Sequence, residues 1–198
     1  YEVVVRLRGR AGEMLPPPES IAEISGTGLL PLLDAARLSP ATQISRRFAE
    51  KGREGSLFSS VSGESLGNQQ FLADFAAAYR ERESLAGQLV MTFAQSDVRA
   101  FAPRDWQTVL EMRNLGFRFA LQAVTDLDMD FEALKSAGFD FVKLDAQVFL
   151  EGMPLAPGMV PSNDICRHLA GLGLTLIVGG IVDEGQLARV FGFGVLFG

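Results

Sequence analysis

The chain has 198 residues and a mass of 21.4 kDa, enough for one ordinary domain with a substantial core. Eighteen basic against twenty-four acidic residues give a formal charge of −6, and nothing in this balance indicates the basic surface that nucleic-acid binding requires. One cysteine excludes an internal disulfide framework, and one histidine excludes a histidine-rich metal site. The sequence also lacks an apolar run of the roughly 18 residues that a membrane span needs.

Short apolar runs rich in Val, Phe and Leu alternate along the chain with longer helix-like segments. The predicted strands are Glu2–Leu7, Leu57–Val61, Leu89–Ala94, Phe117–Gln122, Phe141–Asp145 and Leu174–Gly179. The predicted helical segments are Ser20–Arg37 with a break at Gly26–Gly28, Ala41–Glu50, Leu66–Arg82, Pro103–Leu115, Asp130–Ala137, Asn163–Leu172 and Glu184–Phe191. Two proline-rich segments, Leu15–Ser20 and Met153–Ser162, are predicted to be loops. This alternation predicts parallel strands joined by right-handed crossovers, either in a barrel or in a doubly wound sheet.

Two residue patterns contain side chains that can bind metal, but their spacing does not match that of a metal site. Asp126, Asp128 and Asp130 have the opening spacing of a calcium loop, but Phe131 and Ala137 replace the Gly and Glu that such a loop needs. Cys166 and His168 lie two residues apart on a predicted helix, so their side chains diverge around its axis. Neither pattern therefore predicts a site.

An aromatic stripe follows one predicted helix, with Phe71, Phe75 and Tyr79 at spacings of four, and Trp106 lies in the next helix. Apolar residues at this spacing are typical of the buried face of an amphipathic helix. We therefore expect the stripe to belong to the core, and an exposed stripe would instead indicate a protein interface.

Four motifs follow one another along the chain: YEVVVRL at Tyr1–Leu7, TGL at Thr27–Leu29, KLD at Lys143–Asp145 and DEGQL at Asp183–Leu187. This ordered set resembles the EAL family of cyclic-di-GMP phosphodiesterases. On this register Glu2 takes the place of the signature glutamate, and Arg6 lies four residues later on the same face of the strand. The literal tripeptide Glu132–Leu134 falls in a predicted helix and is not the signature.

The resemblance implies an α/β fold, a TIM-like (β/α) barrel of the EAL type. Residues 1–198 would form a single domain that lacks terminal elements at both ends, since the family has a strand before the signature strand and another after the position of Gly198.

The resemblance also implies two divalent metals held by acidic or amide side chains at strand ends. The residues at the corresponding positions of this chain are Ser60, Thr92, Gln95, Gln122, Ala123, Gly179 and Val182. Two divalent cations rely on anionic oxygen ligands, and these residues offer neutral oxygens or none. We therefore expect no catalytic residue, no metal and no cofactor.

The interpretation that follows is a cyclic-di-GMP receptor without hydrolytic activity that regulates protein partners. Arg6 and Lys143 would hold phosphate oxygens, Glu2 would accept from a ribose hydroxyl or a guanine, and Asp145 would orient Lys143. Two alternatives stay open. One is a nucleotide-free scaffold in which Arg6 and Lys143 join a buried ion-pair network, and the other is a residual metal-dependent phosphodiesterase.

The partners implied by the resemblance are proteins of flagellar or polar assembly, as in the flagellar-positioning TipF type of degenerate EAL domain. The expected location is the cytoplasm, either as a separate protein or as the cytoplasmic part of a membrane-anchored one. Contact with a membrane would then come only through segments outside this sequence.

Overall fold

The computed structural model describes residues 1–5, 8, 12–14, 24–52, 55–79 and 88–195. The strands are β1 (Glu2–Val3), β2 (Leu57–Ser60), β3 (Leu89–Ala94), β4 (Arg118–Gln122), β5 (Phe139–Asp145), β6 (Met153–Leu155), β7 (Gly158–Val160) and β8 (Thr175–Gly179). The helices are α1 (Leu30–Glu50), α2 (Gly63–Leu66), α3 (Gln69–Tyr79), α4 (Gln95–Ala100), α5 (Pro103–Asn114), α6 (Phe131–Ser136), α7 (Ala146–Glu151), α8 (Ser162–Gly171) and α9 (Glu184–Gly192).

Within the described ranges six of the strands form one sheet in the order β1-β2-β3-β4-β5-β8. The pairs β1–β2, β2–β3, β4–β5 and β5–β8 are parallel, and helices separate the strands along the chain. Strands β6 and β7 form a separate antiparallel hairpin. The predicted alternation of parallel strands and helices is confirmed.

The chain divides into two compact units, and the first consists of Tyr1–Thr92 with Ala100–Arg118. In this unit Phe71 and Phe75 of α3 are buried, and the ring of Phe75 lies 5.0 Å from that of Phe117. These two residues confirm that the stripe belongs to the core, while the side chain of Tyr79 lies outside the described part. Trp106 is half-buried and packs edge-on against Phe101.

The second unit consists of Phe93–Arg99 and Phe119–Gly198. Its core contains three completely buried rings, Phe93, Phe119 and Phe139, whose centroids lie 5.5 to 6.3 Å apart. Each such side chain contributes about 1.5–3 kcal/mol through its removal from water. Because the three residues come from β3, β4 and β5, this cluster fixes the strands whose ends carry the polar residues described below.

The structure differs from the predicted elements at short features. The predicted loop Met153–Ser162 is wrong in part, because Met153–Leu155 and Gly158–Val160 pair as a hairpin around Ala156–Pro157. The predicted helix Leu66–Arg82 corresponds to α3, which begins at Gln69, while Leu66 is the last residue of the short α2 and residues 80–82 lie outside the described part. In the portion of the chain that the structure describes, no helix is both long and apolar enough to span a membrane.

Candidate functional site

In the first unit, polar residues lie on one face of β1, β2 and β3. Glu2 is exposed and pairs in register with Phe58, while Ser60 pairs with Thr92. Because side chains alternate along a strand, Glu2, Ser60 and Thr92 share a face. The buried hydroxyl of Thr92 makes no hydrogen bond with any part of the chain that the structure describes. Arg6, the other predicted residue of this strand, lies outside the described residues.

A buried acid that the sequence interpretation missed, Asp34 of α1, holds the turn after β2. Its Oδ2 atom accepts hydrogen bonds from Ser62 N, Ser62 Oγ and Ser65 Oγ, each at 2.7 Å. Arg37 Nη1 lies 3.4 Å from Oδ1, and both charged side chains are almost completely buried. The signal that could have found Asp34 is a single acid within the apolar run LPLLDAARL.

In the second unit, Lys143 and Asp145 lie on β5 with one residue between them, so they share a face. Lys143 is half-buried and pairs in register with Ile177. Asp145 is the last residue of the strand and caps α7, where its Oδ1 accepts from the backbone nitrogen of Gln147 at 2.8 Å. Asp145 therefore begins a helix through Oδ1, and its role in orienting Lys143 stays a prediction.

The end of β8 approaches the Asp145 carboxylate closely. Gly180 has a φ of +70°, and a Cβ atom at this position would overlap Oδ2 of Asp145. Glycine is required here both by backbone conformation and by space. The preceding residue, Gly179, is different, because a Cβ there would have no atom within 4 Å.

Gln95, at the start of α4, is 1% exposed and bonds to the loop that follows β4. Its Nε2 donates to the carbonyl of Asp126 at 2.8 Å, and its Oε1 accepts from Thr125 N at 2.8 Å and Thr125 Oγ1 at 3.0 Å. The amide thus holds residues 30 and 31 positions away in the sequence. We call residues 123–130 the β4–α6 loop.

Arg99, one helical turn after Gln95, also binds this loop. Both terminal nitrogens of its guanidinium contact the carboxylate of Asp126, and Nη2 donates to the carbonyl of Asp128 at 3.1 Å. Hydrogen bonding from Arg99 lowers the pKa of Asp126, and hydrogen bonding from Asp126 raises the pKa of Arg99. The Asp126 carboxylate therefore stays ionised to a lower pH than an ordinary aspartate.

Ala123, the first residue of the β4–α6 loop, has a φ of +50°. This left-handed conformation places the Cβ of a non-glycine residue too close to its own backbone, at a cost of roughly 1–2 kcal/mol. Such strain persists where the surroundings hold the backbone in place, and it is concentrated at functional sites. The bonds of Gln95 to Thr125, two residues later, supply such a restraint.

The patterns that the sequence excluded as sites have structural roles. Asp126 pairs with Arg99, and Asp130 accepts from the backbone nitrogen of Ala133 as the cap of α6. Burial raises the pKa of the Cys166 thiol, and the ring of the exposed His168 lies edge-on to a phenylalanine. Across the described ranges, no three His, Cys, Asp or Glu side chains are grouped so that they could hold a metal ion. Residues 132–134 lie in α6, as predicted.

A family model places the whole chain in a known group, since the model described as EAL domain matches residues 1–198. Comparison with curated proteins finds none that matches.

Solved structures with the same fold include the FimX EAL domain from Pseudomonas aeruginosa bound to c-di-GMP. It is 20% identical with a TM-score of 0.77, over 98% of this chain and 78% of that one. The Xanthomonas citri FimX EAL domain in complex with c-diGMP is 18% identical with a TM-score of 0.75, over 98% and 77% of the two chains. Vibrio cholerae LapD S helix-GGDEF-EAL, bound to c-di-GMP, is 15% identical with a TM-score of 0.75, over 98% and 47%. These likenesses confirm the predicted fold class, the TIM-like (β/α) barrel of the EAL type.

Proposed function

The chain belongs to the EAL domain family, and on this basis we propose that it is a cyclic-di-GMP receptor without hydrolytic activity that acts through protein partners. The observation that carries the proposal is the bonding of Gln95. A glutamine amide donates as well as accepts, whereas an ionised carboxylate only accepts. Because Gln95 donates to the Asp126 carbonyl and accepts twice from Thr125, both lone pairs of its oxygen are used.

The donor set supports the absence of metal-dependent hydrolysis. The residues that replace the family's metal ligands are Ser60, Thr92, Gln95, Gln122, Ala123, Gly179 and Val182. Their side chains provide neutral oxygens or no oxygen at all, whereas two divalent cations bring four positive charges that anionic ligands must balance. The residues present do not fit a pair of such ions.

Binding of the dinucleotide does not require those ions. Lys143, two residues before the end of β5, supplies a cation of the kind that binds phosphate oxygens. The FimX and LapD structures that resemble this chain contain c-di-GMP, which supports the same ligand here. We assign Lys143 to a phosphate and Glu2 to a sugar hydroxyl or a base. Arg6, from the sequence alone, is assigned to the second phosphate contact.

A nucleotide-free scaffold is the second candidate, and one observation favours it. Asp145 uses Oδ1 to cap α7, a bond that does not depend on a bound nucleotide. A carboxylate at the end of a strand that binds a backbone amide is consistent with a domain whose only function is to contact other proteins. In either case the inferred partners are proteins of flagellar or polar assembly.

Titration calorimetry with cyclic-di-GMP, with and without magnesium, tests the proposal. We expect binding that is independent of magnesium and a chromatographic assay that shows no linear product. Lys143→Ala should weaken binding about tenfold to a hundredfold, because a hydrogen bond to a charged group contributes about 1.5–3 kcal/mol. Lys51→Ala removes the same charge from an exposed turn and should leave the affinity unchanged.

The three hypotheses give different results. Absence of binding by the wild-type protein would support the scaffold, and magnesium-dependent formation of the linear dinucleotide would establish the phosphodiesterase. Equal affinity of Lys143→Ala and wild type would remove Lys143 from the site while leaving the receptor function in place.

A further inference from the structure

Arg99 of α4 binds two residues of the β4–α6 loop that are distant from it in the sequence. It lies four residues after Gln95, so the two side chains project from the same face of α4. The guanidinium reaches residues 27 and 29 positions away, Asp126 by its carboxylate and Asp128 by its carbonyl. Arginine presents its donors in a planar fork, and this fork matches the two oxygens of a carboxylate.

Asp126 passes this restraint on to its neighbours in the β4–α6 loop. Its Oδ1 atom also accepts from the backbone nitrogen of Asp128 at 2.9 Å, and Oδ2 lies 3.3 Å from Thr125 Oγ1. The loop is thus held by one charged side chain that is bonded both to α4 and to the loop's own backbone. We call the contacts of Arg99 with Asp126 and Asp128 the Arg99 latch.

The latch is accessible to water, unlike Gln95. The side chains of Arg99 and Asp126 are 39% and 26% exposed, respectively. Exposed ion pairs contribute little to global stability and are weakened by salt. The latch can therefore open while the fold stays intact, and its effect should be confined to the order of the loop.

The loop begins where a ligand loop is expected. Ala123 follows directly after β4, and in barrels of parallel strands the loops at the carboxyl ends of the strands form the binding face. Ala123 is also strained, and strain of this kind persists only where the surroundings hold it. When a loop is already ordered, ligand binding does not carry the entropy cost of ordering it, so pre-organisation raises affinity.

We propose that Arg99 is a positioning residue: its fork holds the β4–α6 loop in one conformation, and this order raises the affinity for cyclic-di-GMP. The inference rests on the proposed function, to which it adds a determinant of affinity that does not touch the ligand. Charge alone is not enough for this role, because lysine lacks the two parallel donors.

The test compares Arg99→Gln and Arg99→Lys with Arg46→Gln. Arg46 is a matched control, because it forms an exposed ion pair with Glu50 inside one helix. Amide hydrogen exchange by NMR reports on the loop. We expect exchange at Asp128 to become at least about fivefold faster in both Arg99 variants, while the amides of β5 keep their protection. Calorimetry should give about threefold to tenfold weaker binding of cyclic-di-GMP with a less favourable entropy, the size expected for one lost net hydrogen bond.

Each other result overturns a defined part of the inference. Unchanged exchange at Asp128 would show that Arg99 does not hold the loop. Faster exchange with unchanged affinity would show that the order of the loop does not affect ligand binding, and it would leave the receptor function intact. Equal losses of affinity in Arg99→Gln and Arg46→Gln would show an effect of net charge only. Absence of binding by the wild-type protein would overturn the proposed function, and the inference with it.

Discussion

The turn after β2 in the first unit and the loop after β4 in the second are both held by polar side chains, but they use charge differently. The turn depends on Asp34, an anion that is 0% exposed and accepts three short hydrogen bonds. The loop depends on Gln95, a buried neutral amide, with the only partly buried Arg99 latch beside it.

The difference predicts that the turn after β2 is a fixed part of the fold, whereas the loop after β4 can change its order. A buried charge is tolerated only when its partners are complete, so the Asp34 network should behave as a permanent part of the fold. The second unit buries the neutral group and leaves the ion pair in contact with water, where salt and solvent compete for it. Three substitutions test this comparison.

The largest effect is expected for Asp34→Ala. The substitution leaves Arg37 and three donors without their acceptor in a buried region, and the free energy of unfolding should fall by about 3–5 kcal/mol. Urea denaturation measures this change. Asp74→Ala removes an exposed acid from α3 and should change stability by less than about 0.5 kcal/mol. A loss of under about 1 kcal/mol for Asp34→Ala would contradict the role assigned to this network.

Gln95→Leu should have the intermediate effect. It leaves the Thr125 amide and the Asp126 carbonyl without their partner, so the free energy of unfolding should fall by about 2–3 kcal/mol. Gln43→Leu, at an exposed position of α1, serves as the control and should be nearly neutral. If thermal and urea denaturation gave the same stability for both variants, the loop would not depend on the buried amide.

Ala123→Gly should have the smallest effect, and it should be stabilising. Glycine removes the Cβ that strains the left-handed backbone, so the free energy of unfolding should rise by about 1 kcal/mol. The same substitution at Ala77, in the exposed part of α3, should instead lower it by about 1 kcal/mol. Opposite signs in urea denaturation would support the strain at Ala123, and a loss at both positions would contradict it.

Much of the fold was accessible from the sequence, because the buried strands are continuous apolar runs and the longer helices have clear periodicity. Strand β3 has the bounds predicted, and α5 begins at the predicted Pro103. Helices α2, α4 and α7 were missed because four to six residues are too few to show a helical period. The hairpin was missed because Pro154 and Pro157 indicate a loop, although proline is compatible with the edge of a sheet.

The candidate site was less accessible than the fold. The strand-end positions of Glu2, Lys143 and Asp145 follow from pattern alone, and the structure places them on strands as expected. The role of Gln95 could not be predicted, because its partners lie 30 and 31 residues away and a buried amide has no local signature. The role of Arg99 could not be predicted either, since nothing near it in the sequence indicates that its partner is an acid 27 residues later.

Adjacent glycines at the end of β8 set different limits on how this protein can change. Gly180 excludes any larger residue, whereas a Cβ at Gly179 would meet no atom within 4 Å, so the space next to the main chain is open there. An acidic group could be introduced at Gly179 without rebuilding the strand. Such a substitution would return a carboxylate to only one of the seven positions that lack the family's ligands, so a single change cannot supply the charge that two divalent ions require.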